Sequence, residues 1–529
     1  MTADSKTRLR AALGEYDGML FYTTAAITIC VVALGSLAPE TLSKYSGAAR
    51  DYLTNQFGWA YLLALAFYVG FGLWVAMSKY GNLTLGKEGE KPEFSTFTWI
   101  AMLFSCGIGV GYVLWGAAEP LYHYMQTPYL AKGGTSEAIP VALQISSFHW
   151  GLHTWMSYSI VGLCIAFPAF RLGKPMNIGI SLYGLLGEKT ETSIWSRLLD
   201  LLGAVATIGG VSTALGFGII SLDYGTEHIF GITTGSTGKV MIMAVLIGMY
   251  ILSATSGLKK GIAYLSTINI AIAIGWGLFL LFFGETNVLL RFFTTTIGNY
   301  MANMVKMSFW ADPLIKSGWL NWWTIFYCLL IIAWTPFVGG FVARISRGRT
   351  IREYILGAVI VPSLFSIFWF VVVGGTAIQV EVSGAAPIWE AVQGNVGAGI
   401  YSILSTFPMS SVMNLVVYVN MVIFLVTSAD SASFFVAMQM SKGAYEPTLV
   451  MKVIWGIFVG MLAVVLLVSG GLKALQTASI VAGSPFAVAI IFMVWSLFKL
   501  LKSEMVKKEA ADRQQLLSAV KKELALEGT

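Results

Sequence analysis

The sequence predicts an all-α integral membrane protein with twelve transmembrane helices. Its 529 residues are 56% hydrophobic and only 11% charged, far below the roughly 25% charge of a typical soluble domain. Apolar runs of about twenty residues recur along the chain, and each can cross ~30 Å of hydrocarbon as a helix. The predicted spans are 19-37, 57-78, 97-118, 140-168, 199-222, 239-256, 261-284, 321-343, 353-379, 412-438, 449-470 and 474-500.

Basic residues in the loops predict the orientation of the chain. Most of the 33 Lys and Arg residues lie on one side if both termini are cytoplasmic, as the positive-inside rule requires. The net charge of +6 is therefore a signal of topology in the cell membrane, and we do not expect nucleic acid as a partner. The first apolar run has no small-residue cleavage pattern, which predicts a retained helix rather than a signal peptide.

The third span contains glycines at three alternate positions, Gly107, Gly109 and Gly111. Glycines four residues apart are typical of close helix packing, and this interpretation accounts for Gly107 and Gly111. It leaves Gly109 unexplained, because that residue lies on the opposite side of the helix. A weakened helix that opens and exposes carbonyl groups explains all three. The spacing is wrong for a phosphate loop and no strand precedes it, which excludes nucleotide binding here.

The fourth span carries Trp150, Trp155 and Tyr158. On a regular helix these three residues fall within an arc of about 140°. Such an arc can simply pack against neighbours, but these rings lie well inside the span, where they could hold a cation by cation–π attraction. His149 and His153 have the spacing of a metal pair. With no carboxylate or cysteine nearby in the sequence, we do not expect them to bind a metal.

The eighth span holds the segment around which the rest of the chain is organised. Residues 334-340 read Trp-Thr-Pro-Phe-Val-Gly-Gly, and a basic cluster follows at 344-352. Pro336 removes a backbone donor and clashes with the preceding turn, so we expect the helix to bend or open at mid-membrane depth. Freed backbone groups are tolerated in lipid only beside a cavity or within protein. The segment is therefore predicted to form the wall of a transport pathway.

The tenth span concentrates polar groups at mid-membrane depth. Five hydroxyl or carboxyl side chains occur within seven residues, at Thr427, Ser428, Asp430, Ser431 and Ser433. They are costly in lipid unless they face a pathway, a partner or an ion. The alternative is that the hydroxyl groups bond back to carbonyl groups of their own helix.

Spans three to seven and eight to twelve form two sets of five, each beginning with a helix that we expect to be interrupted. Because five is odd, the second set enters the membrane in the opposite sense, and paired interruptions in inverted halves indicate a substrate site near the midplane. The predicted organisation is a cytoplasmic N-terminal tail at 1-18, two accessory transmembrane helices at 19-96, a first five-helix repeat at 97-284, an outer amphipathic helix region at 285-320, a second five-helix repeat at 321-502 and a cytoplasmic C-terminal helix at 503-529.

These segments resemble the betaine/choline/carnitine transporter family, and the resemblance extends over nearly the whole chain. Its most specific part is 334-339 with 341-350, and the segments 148-153, 116-120 and 427-431 match as well. The resemblance implies a LeuT-type 5+5 inverted repeat preceded by two extra helices. It also implies a homotrimer that takes up trimethylammonium-type osmolytes or nutrients.

The resemblance also implies site residues, carried over by position. An aromatic box around the substrate cation would consist of Trp150, Trp155, Tyr158 and Trp334, with Phe337 beside it. The backbone of Gly107, Ile108, Gly109 and Gly111 would approach the polar or anionic end of the substrate. Sodium, the coupling ion, would be held by the hydroxyl groups of Thr427 and Ser428 and by the carbonyl groups of Phe424, Ser105 and Ile108. Hydroxyl and carbonyl oxygens suit a small hard cation.

Departures from the family pattern leave the substrate and the number of ions open. Residues 328-331 read Cys-Leu-Leu-Ile, where family members usually have further tryptophans, so betaine, trimethylamine N-oxide, choline, dimethylsulfoniopropionate and ectoine all remain candidates. Val211 stands four residues after Thr207, where the family's other sodium site has a hydroxyl group. Ser212 or Thr213 could substitute. Thr154 replaces a proline common in the family.

Two other functions are alternatives to sodium-coupled import. Sodium-independent exchangers of carnitine and its betaine resemble this family but have an arginine in span seven, where this chain reads Asn-Ile at 269-270. An intramembrane enzyme would need clustered histidines, cysteines or carboxylates. The chain offers one histidine pair and a lone Asp430, so we expect no catalytic residues and no cofactor besides the sodium ion.

Overall fold

Long α-helices make up most of the computed structural model, which describes residues 12-107, 109-255, 259-313, 318-444 and 446-527. In chain order the principal helices are α1 (Gly18–Leu37), α2 (Pro39–Met77), α3 (Thr96–Gly107), α4 (Val110–Met125), α5 (Ala138–Trp150), α6 (Leu152–Ala166), α7 (Ile194–Phe230), α8 (Gly235–Thr255), α9 (Lys259–Phe283), α10 (Thr286–Ser308), α11 (Thr324–Arg344), α12 (Ile351–Ser383), α13 (Ile388–Gly394), α14 (Ala398–Leu404), α15 (Ser410–Met440) and α16 (Leu449–Glu527). The all-α prediction is confirmed over these ranges.

Ten helices in the described ranges are long and apolar enough to cross a membrane, judged by length and composition. They are Gly18–Leu37, Pro39–Met77, Ala138–Arg171, Ile194–Phe230, Gly235–Ser253, Leu265–Phe283, Trp319–Arg344, Ile351–Ser383, Ser410–Met440 and Leu449–Lys521. The number differs from the predicted twelve for two reasons. The third predicted span is divided between α3 and α4, and the last two belong to one helical run that is kinked at Gly471, where φ is 59°.

Burial separates the helices into an inner and an outer group. The apolar stretches of Ala138–Arg171 and Ile194–Phe230 are each 94% buried, and that of Trp319–Arg344 is 89% buried. By contrast, Gly18–Leu37 is 22% buried and Gly235–Ser253 is 17% buried. A helix that is apolar on all sides but largely unburied is suited to contact lipid. The inner group therefore forms the core in which a transport site can lie.

The third and fourth predicted spans are both broken at glycines. α3 ends at Gly107 and α4 begins at Val110, with Gly109 in an extended conformation between them. The break expected from the three glycines is thus present. A second break, which the sequence did not suggest, separates α5 from α6 at Gly151, where φ is −92° and ψ is −130°. An added Cβ there would lie 2.5 Å from the Ser147 carbonyl oxygen, which explains why glycine is needed.

The eighth predicted span, by contrast, stays helical through its proline. α11 runs without interruption from Thr324 to Arg344 and contains Pro336, so the opening of the helix expected at that residue is wrong. The Thr335 hydroxyl group donates to the Ile332 carbonyl oxygen at 2.7 Å, and local bonds of this kind satisfy groups freed by a proline. The interruption lies earlier, at Trp323, whose backbone is not helical.

The basic segment after α11 is tied to the loop that precedes α3. The Leu85 amide donates to the Arg349 carbonyl oxygen and the Gly348 amide to the Leu85 carbonyl oxygen, both at 2.8 Å. The Arg349 guanidinium lies 4.1 Å from the centre of the Trp99 ring. Hydrogen bonds from the Lys87 amide and from Arg347 lower the pKa of Glu90. These basic residues therefore connect the end of α11 to the start of α3, a structural role beyond topology.

Candidate functional site

A narrow cavity lies where the broken third span meets α5, α6, α7 and α11. Its volume is about 40 Å³. The lining residues are Gly107, Gly109, Gly111, Tyr112, Trp150, Tyr158, Ala214, Phe217, Tyr327, Leu330, Ile331 and Trp334. Aromatic rings can attract a cation, and bare backbone can approach the polar end of a ligand closely. The cavity therefore combines two chemistries suited to a small molecule with a positive head and a polar tail.

Trp150 is held firmly at the aromatic side of this cavity. Its ring makes edge contacts with Tyr112 and Tyr327, at centroid distances of 5.0 and 5.3 Å, and stacks on Phe370 at 5.1 Å. Its indole nitrogen donates to Glu119 Oε2 at 2.6 Å. Fixed rings lose little conformational entropy when a ligand binds, so this arrangement is preorganised.

Trp334 brings α11 to the same cavity. Its ring makes an edge contact with Phe337, at a centroid distance of 5.9 Å. Its indole nitrogen is buried and makes no hydrogen bond to the described residues. Buried polar groups are nearly always paired, and the exceptions call for an explanation. A donor beside a cavity is available to the polar group of a ligand.

The structure brings together most of the predicted substrate residues. Six of them line the cavity, namely Gly107, Gly109, Gly111, Trp150, Tyr158 and Trp334. Ile108 lies outside the described residues. Trp155 and Phe337 do not line the cavity. The regular helical arc expected for the fourth span does not hold, because the break at Gly151 separates Trp150 from Trp155.

Trp155 and Phe337 instead lie behind the lining residues. The Trp155 indole nitrogen donates to Ser366 Oγ at 3.0 Å, and Ser366 also bonds the hydroxyl group of Tyr112 at 2.8 Å. Phe337 is 4% exposed and packs between Trp334 and Phe435, with ring centroids 5.9 and 6.0 Å away. Both residues are placed to position a lining ring.

Six lining residues were missed by the sequence analysis, namely Tyr112, Ala214, Phe217, Tyr327, Leu330 and Ile331. Tyr112 follows the glycine segment directly, so its position carried a signal that could have been used. Leu330 and Ile331 lie one turn before Trp334, in the segment that lacks the family's additional tryptophans. Ala214, Phe217 and Tyr327 are ordinary apolar or aromatic residues of inner helices, and no local pattern distinguishes them.

The glycines are required by close contacts with the tryptophans. A Cβ on Gly107 would lie 2.1 Å from the Trp155 ring, and one on Gly111 would lie 2.8 Å from the Trp150 ring. Both distances are far below van der Waals contact, so the ring or the helix would have to move. A Cβ on Gly109 would meet only Ser428 Oγ, at 3.8 Å. Packing thus explains Gly107 and Gly111, and the break explains Gly109.

The residues predicted to hold sodium are partly brought together. Gly109, at the break, approaches Ser428 on α15. The Thr427 hydroxyl group donates to the carbonyl oxygens of Ile423 and Phe424, at 2.9 and 3.2 Å, which is the alternative of back-bonding within the helix. The Ser105 backbone belongs to α3, and Ile108 lies outside the described residues. Oxygen-rich groups of α15 therefore lie beside the broken span.

The hydroxyl groups of α7 that could serve a second sodium site are engaged elsewhere. Thr207 donates to the Gly203 carbonyl oxygen at 2.8 Å, and Ser212 donates to the Val459 carbonyl oxygen at 2.9 Å. The Thr213 hydroxyl group lies 2.8 Å from the Leu475 carbonyl oxygen. The contacts of Ser212 and Thr213 join α7 to α16 on both sides of the Gly471 kink.

A buried polar cluster adjoins Trp150, and it brings to His149 a carboxylate that lies 30 residues away in the sequence. Glu119 Oε1 lies 2.6 Å from His149 Nδ1 and 3.3 Å from His123 Nε2. The three side chains have the composition of a metal site, but contacts this short are hydrogen bonds. His153, the other histidine of the i, i+4 spacing, lies outside this cluster, with its Nε2 2.9 Å from Ser308 Oγ.

Comparison with known proteins agrees with this geometry. The model of the BCCT, betaine/carnitine/choline family transporter, matches residues 19-506. The chain belongs to this transporter family. It is 39% identical to the glycine betaine transporter OpuD of Bacillus subtilis over 94% of this chain and 97% of that protein. It is 36% identical to an ectoine/hydroxyectoine transporter of Virgibacillus pantothenticus, over 94% and 98% of the two chains.

A third relative is the high-affinity choline transport protein of Escherichia coli K12. The two are 35% identical over 94% of this chain and 74% of the relative. The family and these relatives are transporters rather than enzymes, and the resemblance inferred from the sequence motifs is confirmed. This chain is thus a multi-pass membrane transporter of the betaine/carnitine/choline family.

Proposed function

We propose that this protein is a symporter that imports a small methylated-ammonium compound, such as glycine betaine, trimethylamine N-oxide or choline, together with sodium. The observation that carries the proposal is the cavity lined by Trp150, Tyr158 and Trp334 together with Gly107, Gly109 and Gly111. A quaternary ammonium group cannot donate hydrogen bonds, so aromatic faces are its natural partners. The backbone and the unpaired indole nitrogen of Trp334 suit the polar end.

The size of the cavity bears on the transport cycle. A volume of about 40 Å³ is well below the ~300 Å³ at the lower end of ligand pockets. A substrate can enter only if the surrounding helices move apart. The breaks at Gly109 and Gly151 interrupt the helices that line the cavity, so they are the natural places for such movement. Alternating access around a midplane site has this requirement.

We infer sodium coupling from the approach of α15 to the broken third span. The last carbonyl groups of a helix have no partner in their own helix and can ligate a cation, as can the hydroxyl groups of Thr427 and Ser428. An ion held there would clamp α15 to the segment that also borders the cavity. Sodium and substrate would then increase each other's affinity, since coupling between two sites is reciprocal.

The proposed arrangement is the LeuT-type fold with twelve spans, as a homotrimer in lipid of the cell membrane with both termini cytoplasmic. The break of the third span at Gly109 and the excess of basic residues in the loops on one side support it. A sodium-independent exchanger is less consistent with Asn269, which is buried and bonded to Asn420 at 2.6 Å. Position 269 therefore holds a neutral, hydrogen-bonded amide rather than a positive charge.

A second candidate substrate is an ectoine-type or sulfonium solute. Leu330 and Ile331 line the cavity where aromatic rings would favour a trimethylammonium group. Aliphatic side chains accommodate the apolar face of a ring compound, and a relative is named an ectoine/hydroxyectoine transporter. The two candidates therefore differ in the substrate group that contacts Leu330 and Ile331.

Uptake by purified protein in liposomes tests the proposal. Glycine betaine, choline, trimethylamine N-oxide, dimethylsulfoniopropionate and ectoine are compared as competitors, with an inward sodium gradient and with potassium in its place. We expect saturable uptake of a methylated-ammonium compound that depends on sodium. Equal uptake with potassium would refute the coupling, and competition by ectoine or dimethylsulfoniopropionate alone would favour the second candidate.

A further inference from the structure

The carboxylate of Glu119 lies behind Trp150, and the function proposed above does not use it. Glu119 is on α4 and is 0% exposed. One oxygen, Oε2, accepts a hydrogen bond from the Trp150 indole nitrogen at 2.6 Å, while Oε1 lies within hydrogen-bond distance of His149 and His123. The carboxylate is thus separated from the cavity by one indole ring.

The hydrogen-bond pattern indicates the charge of this cluster. An ionised carboxylate only accepts, so His149 Nδ1 and His123 Nε2 carry the hydrogens. His123 Nδ1 is buried and makes no hydrogen bond to the residues that the structure describes, as expected for a bare nitrogen of a neutral ring and not for an imidazolium. His149 Nε2 lies 2.9 Å from the Thr324 hydroxyl group, which can donate to it. Both rings can therefore be neutral while the carboxylate is ionised.

No basic side chain compensates for this charge in the described part of the chain. The ion-pair contacts of Glu119 are with His123 and His149 alone. Three hydrogen bonds stabilise the ionised form, yet an unpaired charge remains costly in a medium of low dielectric constant. A cation in the cavity would reduce that cost, because Trp150 lines the cavity and also donates to the Glu119 carboxylate.

We propose that Glu119 supplies the counter-charge for the substrate cation across Trp150, and thereby favours ligands of net positive charge over zwitterions. This inference rests on the proposed function. The negative charge of Glu119 attracts a choline-type cation, and this ligand has no negative group to offset the attraction. For a betaine-type zwitterion, attraction of the ammonium group is partly cancelled by repulsion of the carboxylate. The hydrogen bond to Oε2 also increases electron density on the indole ring, which strengthens cation–π attraction for both ligands.

The test compares the binding of choline and glycine betaine by the full-length protein in detergent or nanodiscs. Glu119→Gln removes the charge but keeps an oxygen that can accept from Trp150. We expect choline to bind roughly tenfold more weakly to this variant, the scale of unit charges about 10 Å apart at an effective dielectric constant of about 20. Glycine betaine should lose less, so the ratio of the two affinities should fall at least severalfold.

A matched control separates charge from packing. His123→Gln removes a ring that touches the same oxygen and leaves the carboxylate in place, so the ratio should stay within twofold of that of the unmodified protein. A purely structural role for Glu119 would weaken both ligands equally. If Glu119→Gln does not fold, the two affinities are measured with His149→Gln instead. This variant keeps the charge of Glu119, so the proposal requires that the preference for choline persist.

The possible outcomes separate this inference from the proposed function. Failure of the unmodified protein to bind any methylated-ammonium ligand would refute the proposed function. If glycine betaine binds but choline does not compete, or if Glu119→Gln leaves the ratio unchanged, the function stands and the counter-charge is refuted. A severalfold fall in the ratio with Glu119→Gln, absent with His123→Gln, supports it.

Discussion

Trp150 and Trp155 are five residues apart and both are buried, yet only Trp150 lines the cavity. The same contrast occurs on α11, where Trp334 lines the cavity and Phe337 packs behind it. In each pair, one ring lines the cavity and the other packs behind the lining. Mutations that are chemically similar should therefore have different consequences within a pair.

The physical cause of the contrast differs between the two helices. On the fourth span the chain breaks at Gly151, which rotates Trp155 out of the arc expected for a regular helix. Trp155 then covers Gly107, where a Cβ would collide with its ring at 2.1 Å. On α11 the helix is continuous, and residues three apart are neighbours on its surface. There the second ring simply supports the first.

The largest effect is expected from Trp155→Ala, which should destabilise the fold. Removing a buried tryptophan costs about 3–5 kcal/mol, and Ser366 and Tyr112 would lose their anchor. Thermal unfolding in detergent measures the loss. Trp495→Ala is the control, because Trp495 is 52% exposed and should change stability little. Equal stability of the two variants would show that Trp155 is not a support.

The next effect concerns the two adjacent hydroxyl groups on α15. Ser428 lies beside the break at Gly109, whereas Thr427 bonds back to its own helix. The Thr427→Ala, Ser428→Ala double variant should lose the rise of substrate affinity with sodium, a coupling of about 1–3 kcal/mol. Of the single variants, Ser428→Ala should lose more.

Substrate affinity titrated against sodium concentration decides this prediction. If affinity in the unmodified protein rises with sodium and the double variant keeps the same dependence, the ion is bound elsewhere. If Thr427→Ala alone removes the dependence, the hydroxyl group of Thr427 must leave its carbonyl partners to reach the ion.

A smaller effect is expected from Trp334→Leu. Loss of a cation–π contact in a desolvated site should weaken substrate binding by roughly 1–2 kcal/mol, while leucine keeps much of the apolar contact with Phe337. Isothermal titration with folded, monodisperse protein measures the affinity. Unchanged affinity would remove Trp334 from the box.

Phe337→Leu should have the smallest effect on binding. The residue supports Trp334 without lining the cavity, so we expect a change below about 0.5 kcal/mol, under the range of a direct cation–π contact. The same titration series compares it directly with Trp334→Leu. A loss as large as that of Trp334→Leu would mean that Phe337 contacts the substrate after the helices move.

The sequence by itself determined the membrane class, the apolar spans and the family. Periodicity is not needed to recognise a long apolar run, because the bilayer selects for length and hydrophobicity alone. The break at Gly109 was also predictable from the sequence, since alternate glycines leave a helix weak. Trp150, Tyr158 and Trp334, which line the cavity, were predicted from the family motifs.

Only the tertiary structure decided which aromatic residues face the cavity and what surrounds them. The position of Trp155 depends on a break at Gly151, where an added Cβ would lie 2.5 Å from the Ser147 carbonyl oxygen. The continuity of α11 through Pro336 depends on local bonds such as that of Thr335. Glu119 and His149 are 30 residues apart and meet because α4 packs against α5. Such contacts arise from packing between helices, and local sequence patterns do not encode which side chains will meet.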